Sequence, residues 1–301
     1  MSHGYSYQGA LSAAEKVNWR LEEVLPAEAR LDFSRPFLPE ALARVRALRL
    51  SPDEQRVLNQ VRAFEYLGMF GLVEQFILPF VLDHARERLA DDPSTRALLG
   101  FAQEEAKHIE LFRRFRALFE AGFGSRCDLI GPPEEIARAV LAHHPLAVAL
   151  VTLHIEWFTQ SHWLECARDD QAIDALFKSL LRHHWMEESQ HAKLDTLIVE
   201  AIAATCTPEE VRRGFEDYLE IGAFLDQGLA HQLGLNLEAF ERATGRRLGA
   251  DERARIEASQ RQALRWTYLG SGMTHPAFQR TVGELDPALR ARLEQVAPAF
   301  C

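Results

Sequence analysis

Two copies of a Glu-x-x-His motif, Glu105 with His108 and Glu188 with His191, each lie downstream of a glutamate set in a strongly apolar segment, Glu74 and Glu156. Glu74 precedes Glu105 by 31 residues and Glu156 precedes Glu188 by 32, so one helix hairpin is written twice with an offset of 82 to 83 residues. Residues three apart on an α-helix project from the same side and can grip one ion. Each hairpin therefore offers two carboxylates and an imidazole. Facing hairpins in a four-helix bundle would gather four glutamates and two histidines, the layout of a carboxylate-bridged two-metal site. Two divalent cations would offset the four negative charges. Without them the carboxylates would repel one another in a low-dielectric interior, raising some of their pKa values or loosening the bundle.

A lone Glu-x-x-His would carry little weight, because about one is expected by chance in a chain of this composition. The registration and the apolar setting are what count. Glu74 lies within the run from Met69 to Leu82, and Glu156 directly follows the run from Leu146 to Ile155. Glutamate is almost never fully buried unless it is paired or bound to metal. Buried Glu–His hydrogen bonding in a plain helical core is the competing reading.

No Gly/Ser/Pro-rich linker divides the 301 residues. One domain over 1–301 is expected, with a bundle core at about 53–204, an N-terminal arm at 1–52 and a C-terminal helical extension at 205–301. A net charge of −10 argues against nucleic-acid binding, which needs a basic surface. The four cysteines, Cys127, Cys166, Cys206 and Cys301, form no Cys-x-x-Cys pair, so no rubredoxin-type iron centre or zinc site is expected. Isolated thiols without a signal peptide fit a reducing, cytoplasmic setting. The longest apolar run, Tyr66 to Leu82, is too short and too polar at its centre for a membrane span, and reads as a core helix.

Ser51-Pro-Asp-Glu54 has the form of a helix start. The first long helix is expected to run to about Leu89, bent at Pro79. Asp92 to Thr95 opens the second, ending near Gly122. A connection and a short helix to about Ala142 follow. The third core helix starts near Pro145, and the fourth runs from about Gln171 to Ala204. Further helices are expected at 208–231, 251–269 and 286–297. Strand signals are scarce, so the fold class is all-α, a four-helix bundle with additional N- and C-terminal helices.

His184, Glu188 and His191 stand at 0, +4 and +7 on one helical face, so a third imidazole can reach the same centre. The equivalent position in the first hairpin is Phe101, which makes the site unequal. His184 is a ligand or a buried supporting group; His183 points about 100° away. With the other candidate ligands, His-x-x-x-Glu-x-x-His resembles the di-iron p-aminobenzoate N-oxygenase family, within the ferritin-like di-iron oxygenases. The resemblance spans about residues 60 to 200. It maps that family's seven-ligand pattern onto Glu74, Glu105, His108, Glu156, His184, Glu188 and His191. Ribonucleotide reductase small subunits are also similar, but carry a tyrosine one turn past the first Glu-x-x-His, where this chain has Phe112. A stored tyrosyl radical of that kind is therefore disfavoured.

Other residues attract attention less strongly. His154 and His162 share a helix with Glu156 but lie mostly on other faces, and His143, His144, His231 and His275 have no metal motif around them. Asp195 either orients His191 or sits on a solvated face. Glu104 and Glu187 point away from the ligand positions. Phe70, Phe101, Phe112 and Trp157 are candidate walls.

Carboxylate and imidazole without thiolate suit iron, with manganese the alternative. The expected activity is that of an O2-dependent di-iron oxidoreductase of mono-oxygenase type, acting on a small organic substrate by N-oxygenation of an arylamine or C–H hydroxylation. No flavin or iron–sulfur motif is visible, so electrons would come from a separate reductase or ferredoxin. A ferroxidase or metal carrier, a di-manganese catalase-like enzyme and a metal-free scaffold are the alternatives. A homodimer is compatible with the resemblance, although no residue identifies an interface.

Overall fold

The computed structural model describes residues 3–86 and 92–301. Short helices α1 (Tyr7–Ala14), α2 (Leu21–Val24) and α3 (Glu40–Ala43) form the N-terminal arm. Four long helices follow: α4 (Pro52–Arg86), α5 (Asp92–Phe123), α7 (Pro145–Ser161) and α8 (Ala175–Ala203), with the short α6 (Pro133–Leu141) between the pairs. The chain closes with α9 (Pro208–Thr244), α10 (Ala250–Arg265), α11 (Ser271–Met273), α12 (Pro276–Leu285) and α13 (Pro287–Val296). Among the described residues there is no strand.

The starts of these helices follow from local chemistry. At α4, Ser51 and Glu54 cap each other's backbone N–H groups, and Thr207 with Glu210 does the same at α9. Asp174 caps α8 by accepting from Phe177 N at 2.7 Å, which moves its start to Ala175 from the expected Gln171. Helix α9 ends at Gly245, whose left-handed φ of 66° suits a residue without Cβ.

Helix α4 packs along α5, and α7 along α8. Helices α1 and α2 lie over the α5–α8 side, while α9 packs on both α4 and α7. Covered from all sides, α4 is buried at every position from Leu58 to Phe70, as expected of a helix without one apolar stripe. By length and composition alone α4 could cross a membrane, but most of that stretch lies inside the fold. Polar side chains of α4 anchor the arm. Asn59 Oδ1 accepts from Phe37 N and Leu38 N, and Gln60 donates to the carbonyls of Phe33 and Arg35. These bonds seat Phe37 in the core, where its burial contributes about 1.5–3 kcal/mol. Deeper along α4, Arg62 Nε donates to Glu65 at 2.7 Å, and both side chains are fully buried. Gln260 accepts from Arg62, and Asn236 and Tyr268 donate to Glu65.

The C-terminal third departs from the sequence expectation in two ways. Helix α9 continues past 231 to Thr244, because Leu233, Leu237 and Phe240 extend its buried stripe through Gly234. Helix α12 was not foreseen, since its cap is His275, whose Nδ1 accepts from Ala277 N, rather than a Ser, Thr or Asp. Helix α4 continues through Pro79 to Arg86. The expected end near Leu89 lies outside the described residues.

Candidate metal centre

The residues of the repeated motif meet in the bundle interior. Glu74, His108, His184 and Glu188 form one cluster whose potential ligand atoms lie within 4.8 Å of one another, and Glu105, His108, Glu188 and His191 form a second. The clusters share His108 and Glu188. Helical spacing places each motif pair on one face, and packing of the two hairpins brings the faces together: His108 Nδ1 lies 3.0 Å from Glu188 Oε1 and 4.0 Å from Glu74 Oε1. His191 Nδ1 is 2.7 Å from Glu188 Oε2 and 2.9 Å from Glu105 Oε1. His184 Nε2 is 2.5 Å from Glu188 Oε1 and 3.4 Å from Glu74 Oε1. Glu156 stands beside both clusters, hydrogen-bonded to Glu188. All seven side chains are buried.

These donors are not satisfied by one another. Both oxygens of Glu105, one oxygen each of Glu74 and Glu156, His108 Nδ1 and His184 Nε2 have no well-formed hydrogen bond among the described residues. Buried polar atoms are ordinarily paired. Close, misaligned oxygen and nitrogen donors converging on two overlapping centres are what a pair of cations would satisfy, so the residues present fit such a group.

The outward-facing nitrogens are held by the glutamates that precede the motifs. His108 Nε2 bonds Glu187 at 2.9 Å, and His191 Nε2 bonds Glu104 at 2.7 Å. Each hairpin thus orients the imidazole of the other. This fixes which ring nitrogen faces inward and makes it a better donor. The two arrangements differ in their further partners. Glu187 pairs with the Lys107 ammonium, which lies 3.8 Å from the centre of the Trp19 ring, whereas Glu104 accepts from the Gln190 amide. Sequence spacing alone placed Glu104 and Glu187 off the ligand face and did not show whom they meet.

Without cations, protons take up part of the balancing charge. Burial opposes charging of His108 and His191, but Glu188 and the other adjoining carboxylates outweigh it and hold both imidazoles well above the usual histidine value. Burial likewise opposes ionisation of Glu188, yet His184, His191 and His108 keep its carboxyl well below the usual range. Burial and then Glu188 push the Glu156 carboxyl well up, which favours its neutral form beside Glu188. His184 is lowered by burial.

Phe70 and Phe112 pack edge-on to the His184 ring at 5.0 and 4.9 Å, and Phe101 stacks on His191 at 4.0 Å. Trp157 is not a wall of this site. It stacks on His275 at 4.7 Å, because its position next to Glu156 turns it toward α12. Asp195 is fully buried rather than solvated, and it does not hold His191, whose outer nitrogen belongs to Glu104. Its carboxyl, pushed well up by burial, has no hydrogen-bond partner among the described residues. His154 and His162 bond Tyr218 and Tyr66.

Two cavities lie outside the clusters. A polar cleft lined by Ser34, Glu40, Arg46 and Asp170 contains none of the seven residues. An apolar cavity between α4, α7 and α9, lined by Leu72, Val73, Ile155, Phe158, Leu229 and Tyr268, includes the neighbours of Glu74 and Glu156.

No protein-family model matches the chain, and no curated protein sequence matches it. Solved structures do. One variant of an R2-like ligand-binding oxidase with an aerobically reconstituted Mn/Fe cofactor superposes with a TM-score of 0.51 at 16% identity, covering 92% of this chain and 98% of that one. A second variant of the same description gives 0.50 at 15% identity, covering 92% and 95%. A third gives 0.50 at 14%, covering 92% and 94%. Over nearly its whole length, the chain has the ferritin-like helical fold of these proteins.

Proposed function

We propose that Glu74, Glu105, His108, Glu156, His184, Glu188 and His191 hold two metal ions, and that the protein uses them to activate O2 and oxidise a small organic substrate. The observation that carries this reading is the pair of overlapping buried clusters sharing His108 and Glu188, with donor atoms left unsatisfied by the protein. Iron suits the mixed carboxylate and imidazole set. Mixed manganese–iron loading, the form of the cofactor in R2-like ligand-binding oxidases of this fold, is the second form to test.

When bound, the metals would supply electrons to O2 and hold the reduced oxygen. The chain's own residues do the rest. Glu187 and Glu104 fix the imidazoles through their outer nitrogens. Phe70, Phe101 and Phe112 keep water from the reacting centre. The apolar cavity against α4 and α7 is the substrate side in this reading, and its lining favours an aromatic or aliphatic body over a charged one. N-oxygenation of an arylamine and C–H hydroxylation are the two reactions to screen. Electrons come from a separate reductase or ferredoxin.

The test begins with metal analysis of protein expressed with iron and manganese supplements, followed by mixing the anaerobic reduced form with O2 and recording its spectrum. Two irons, or one iron and one manganese, with O2-dependent turnover of an organic substrate support the proposal. Two manganese with peroxide disproportionation would replace it with a catalase. Iron oxidation indifferent to any substrate would replace it with a ferroxidase, and no stoichiometric metal would end it.

A further inference from the structure

One buried tyrosine stands between the candidate centre and the molecular surface with a base already in place. Tyr66 on α4 is buried, and its hydroxyl lies 3.0 Å from His162 Nδ1. The other ring nitrogen fixes the direction of that bond. His162 Nε2 faces the Thr267 carbonyl and Ser271 Oγ, and Ser271 spends its own proton on Thr267 O. Nε2 therefore carries the hydrogen, and Nδ1 accepts from Tyr66. Burial pushes the His162 imidazole down to about 3, so the ring is neutral; burial opposes its protonation, and only a strongly acidic donor such as an oxidised tyrosine would transfer a proton to it.

The ring of Tyr66 packs 4.5 Å from Phe70, which in turn packs 5.0 Å from His184. A single aromatic ring thus separates Tyr66 from the candidate ligands. On its other side Tyr66 is 6.2 Å from Tyr268, and His162 is 6.2 Å from Trp266. Both Tyr268 and Trp266 are partly exposed.

We propose that Tyr66 and His162 form a proton-coupled electron relay between the two-metal centre and the Tyr268–Trp266 face. This rests on the reading of the centre as an O2-activating metal pair, which supplies the oxidant. In the forward step Tyr66 gives one electron to the metal pair after its reaction with O2. The O–H bond breaks, the proton moves to His162 Nδ1, and a neutral tyrosyl radical faces an imidazolium. An electron from the external one-electron donor protein, entering through the Tyr268–Trp266 face, restores Tyr66 as the proton returns from His162. The radical is transient, and the relay lets the centre be re-reduced when no substrate is bound.

Freeze-quench electron paramagnetic resonance tests this on iron-loaded, reduced full-length protein mixed with O2 in the absence of substrate, with metal oxidation followed optically in parallel. The expected result is a transient tyrosyl signal in the wild type that is lost in Tyr66→Phe at unchanged metal content. It should also be lost in His162→Gln, which keeps an acceptor but not a base. Should Tyr66→Phe fail to fold, 3-fluorotyrosine placed at position 66 is nearly isosteric and should split the signal by fluorine hyperfine coupling. Metal oxidation with no tyrosyl signal overturns the relay and leaves the metal reading intact. So does a signal undiminished in Tyr66→Phe, or unsplit with the fluorinated residue. A full signal in His162→Gln removes His162 and overturns the proposal as stated. Failure of the metal pair to bind or react with O2 sinks the relay together with the reading it rests on.

Discussion

Replacing Glu187 by leucine removes the acceptor that holds His108 Nε2 at 2.9 Å and leaves that nitrogen facing an apolar group. It also strips the Lys107 ammonium of its carboxylate. The side chain of Glu187 is 1% exposed, so water cannot take its place, whereas Glu104, its counterpart on His191, is 13% exposed and can be partly replaced by solvent. Loss of such a supporting carboxylate typically costs 10–100-fold in metal affinity, or about 1.4–2.8 kcal/mol. Glu187→Leu should therefore lie near the upper end of that range and Glu104→Leu near the lower. Both should still bind two ions at saturation, since neither removes a ligand. Glu187→Gln, which keeps a neutral acceptor, should fall between wild type and Glu187→Leu. Equilibrium dialysis of the metal-free proteins against buffered Mn²⁺ measures all of these. Wild-type affinity in Glu187→Leu, or a larger loss in Glu104→Leu than in Glu187→Leu, would refute the argument from burial.

Three further outcomes follow from the same geometry. Burial favours the neutral form of Glu156 in the metal-free protein, so Glu156→Gln should leave the metal-free melting temperature nearly unchanged while shrinking the stabilisation that metal adds; equal losses in both forms would contradict the assignment. The raised values of Glu156, Asp195, His108 and His191 mean that the native metal-free state binds more protons than the unfolded chain above the ordinary histidine range. Its melting temperature should fall as pH rises through neutral into mildly alkaline values, whereas in the mildly acidic range the lowered His154, His162, His184 and His275 favour the opposite slope. Metal affinity should rise over the same interval as the ligands shed protons, and thermal melts of chelated and loaded protein should show the two slopes diverging. Arg62→Met strands the Glu65 carboxylate in the core and should destabilise the fold by about 3–5 kcal/mol in chemical denaturation, whereas Arg62→Met with Glu65→Leu should recover part of that; a double variant worse than the single would contradict it.

The convergence of Glu74, Glu105, His108, His184, Glu188 and His191 was legible because helical periodicity is local: three- and four-residue spacings place side chains on one face whatever the helix packs against. The all-α bundle was legible for the same reason. What escaped reading depends on contacts between distant segments. Glu187 is one residue from Glu188 in the chain, yet its role is set by His108, which lies 79 residues earlier. Asp195 has the sequence neighbourhood of an exposed helical position and is buried by its tertiary surroundings. Trp157 looked like a wall because it adjoins Glu156, but a one-residue step around a helix carries it to His275. Arg62 and Glu65 become a core group only through the layers packed over α4, which no local spacing reveals.

The crossed clasp of Glu104 on His191 and Glu187 on His108 means that neither hairpin can complete its own imidazole. Two copies of either hairpin related by a twofold axis would complete both, with identical outer carboxylates. Joining the copies in one chain releases matched positions from having to be the same. At matched positions of the repeat the first copy has Phe101, Lys107 and Phe112 where the second has His184, Gln190 and Asp195. One half carries the extra imidazole and the other a cation beside its supporting carboxylate, so the two clusters are chemically distinguishable within a repeated frame.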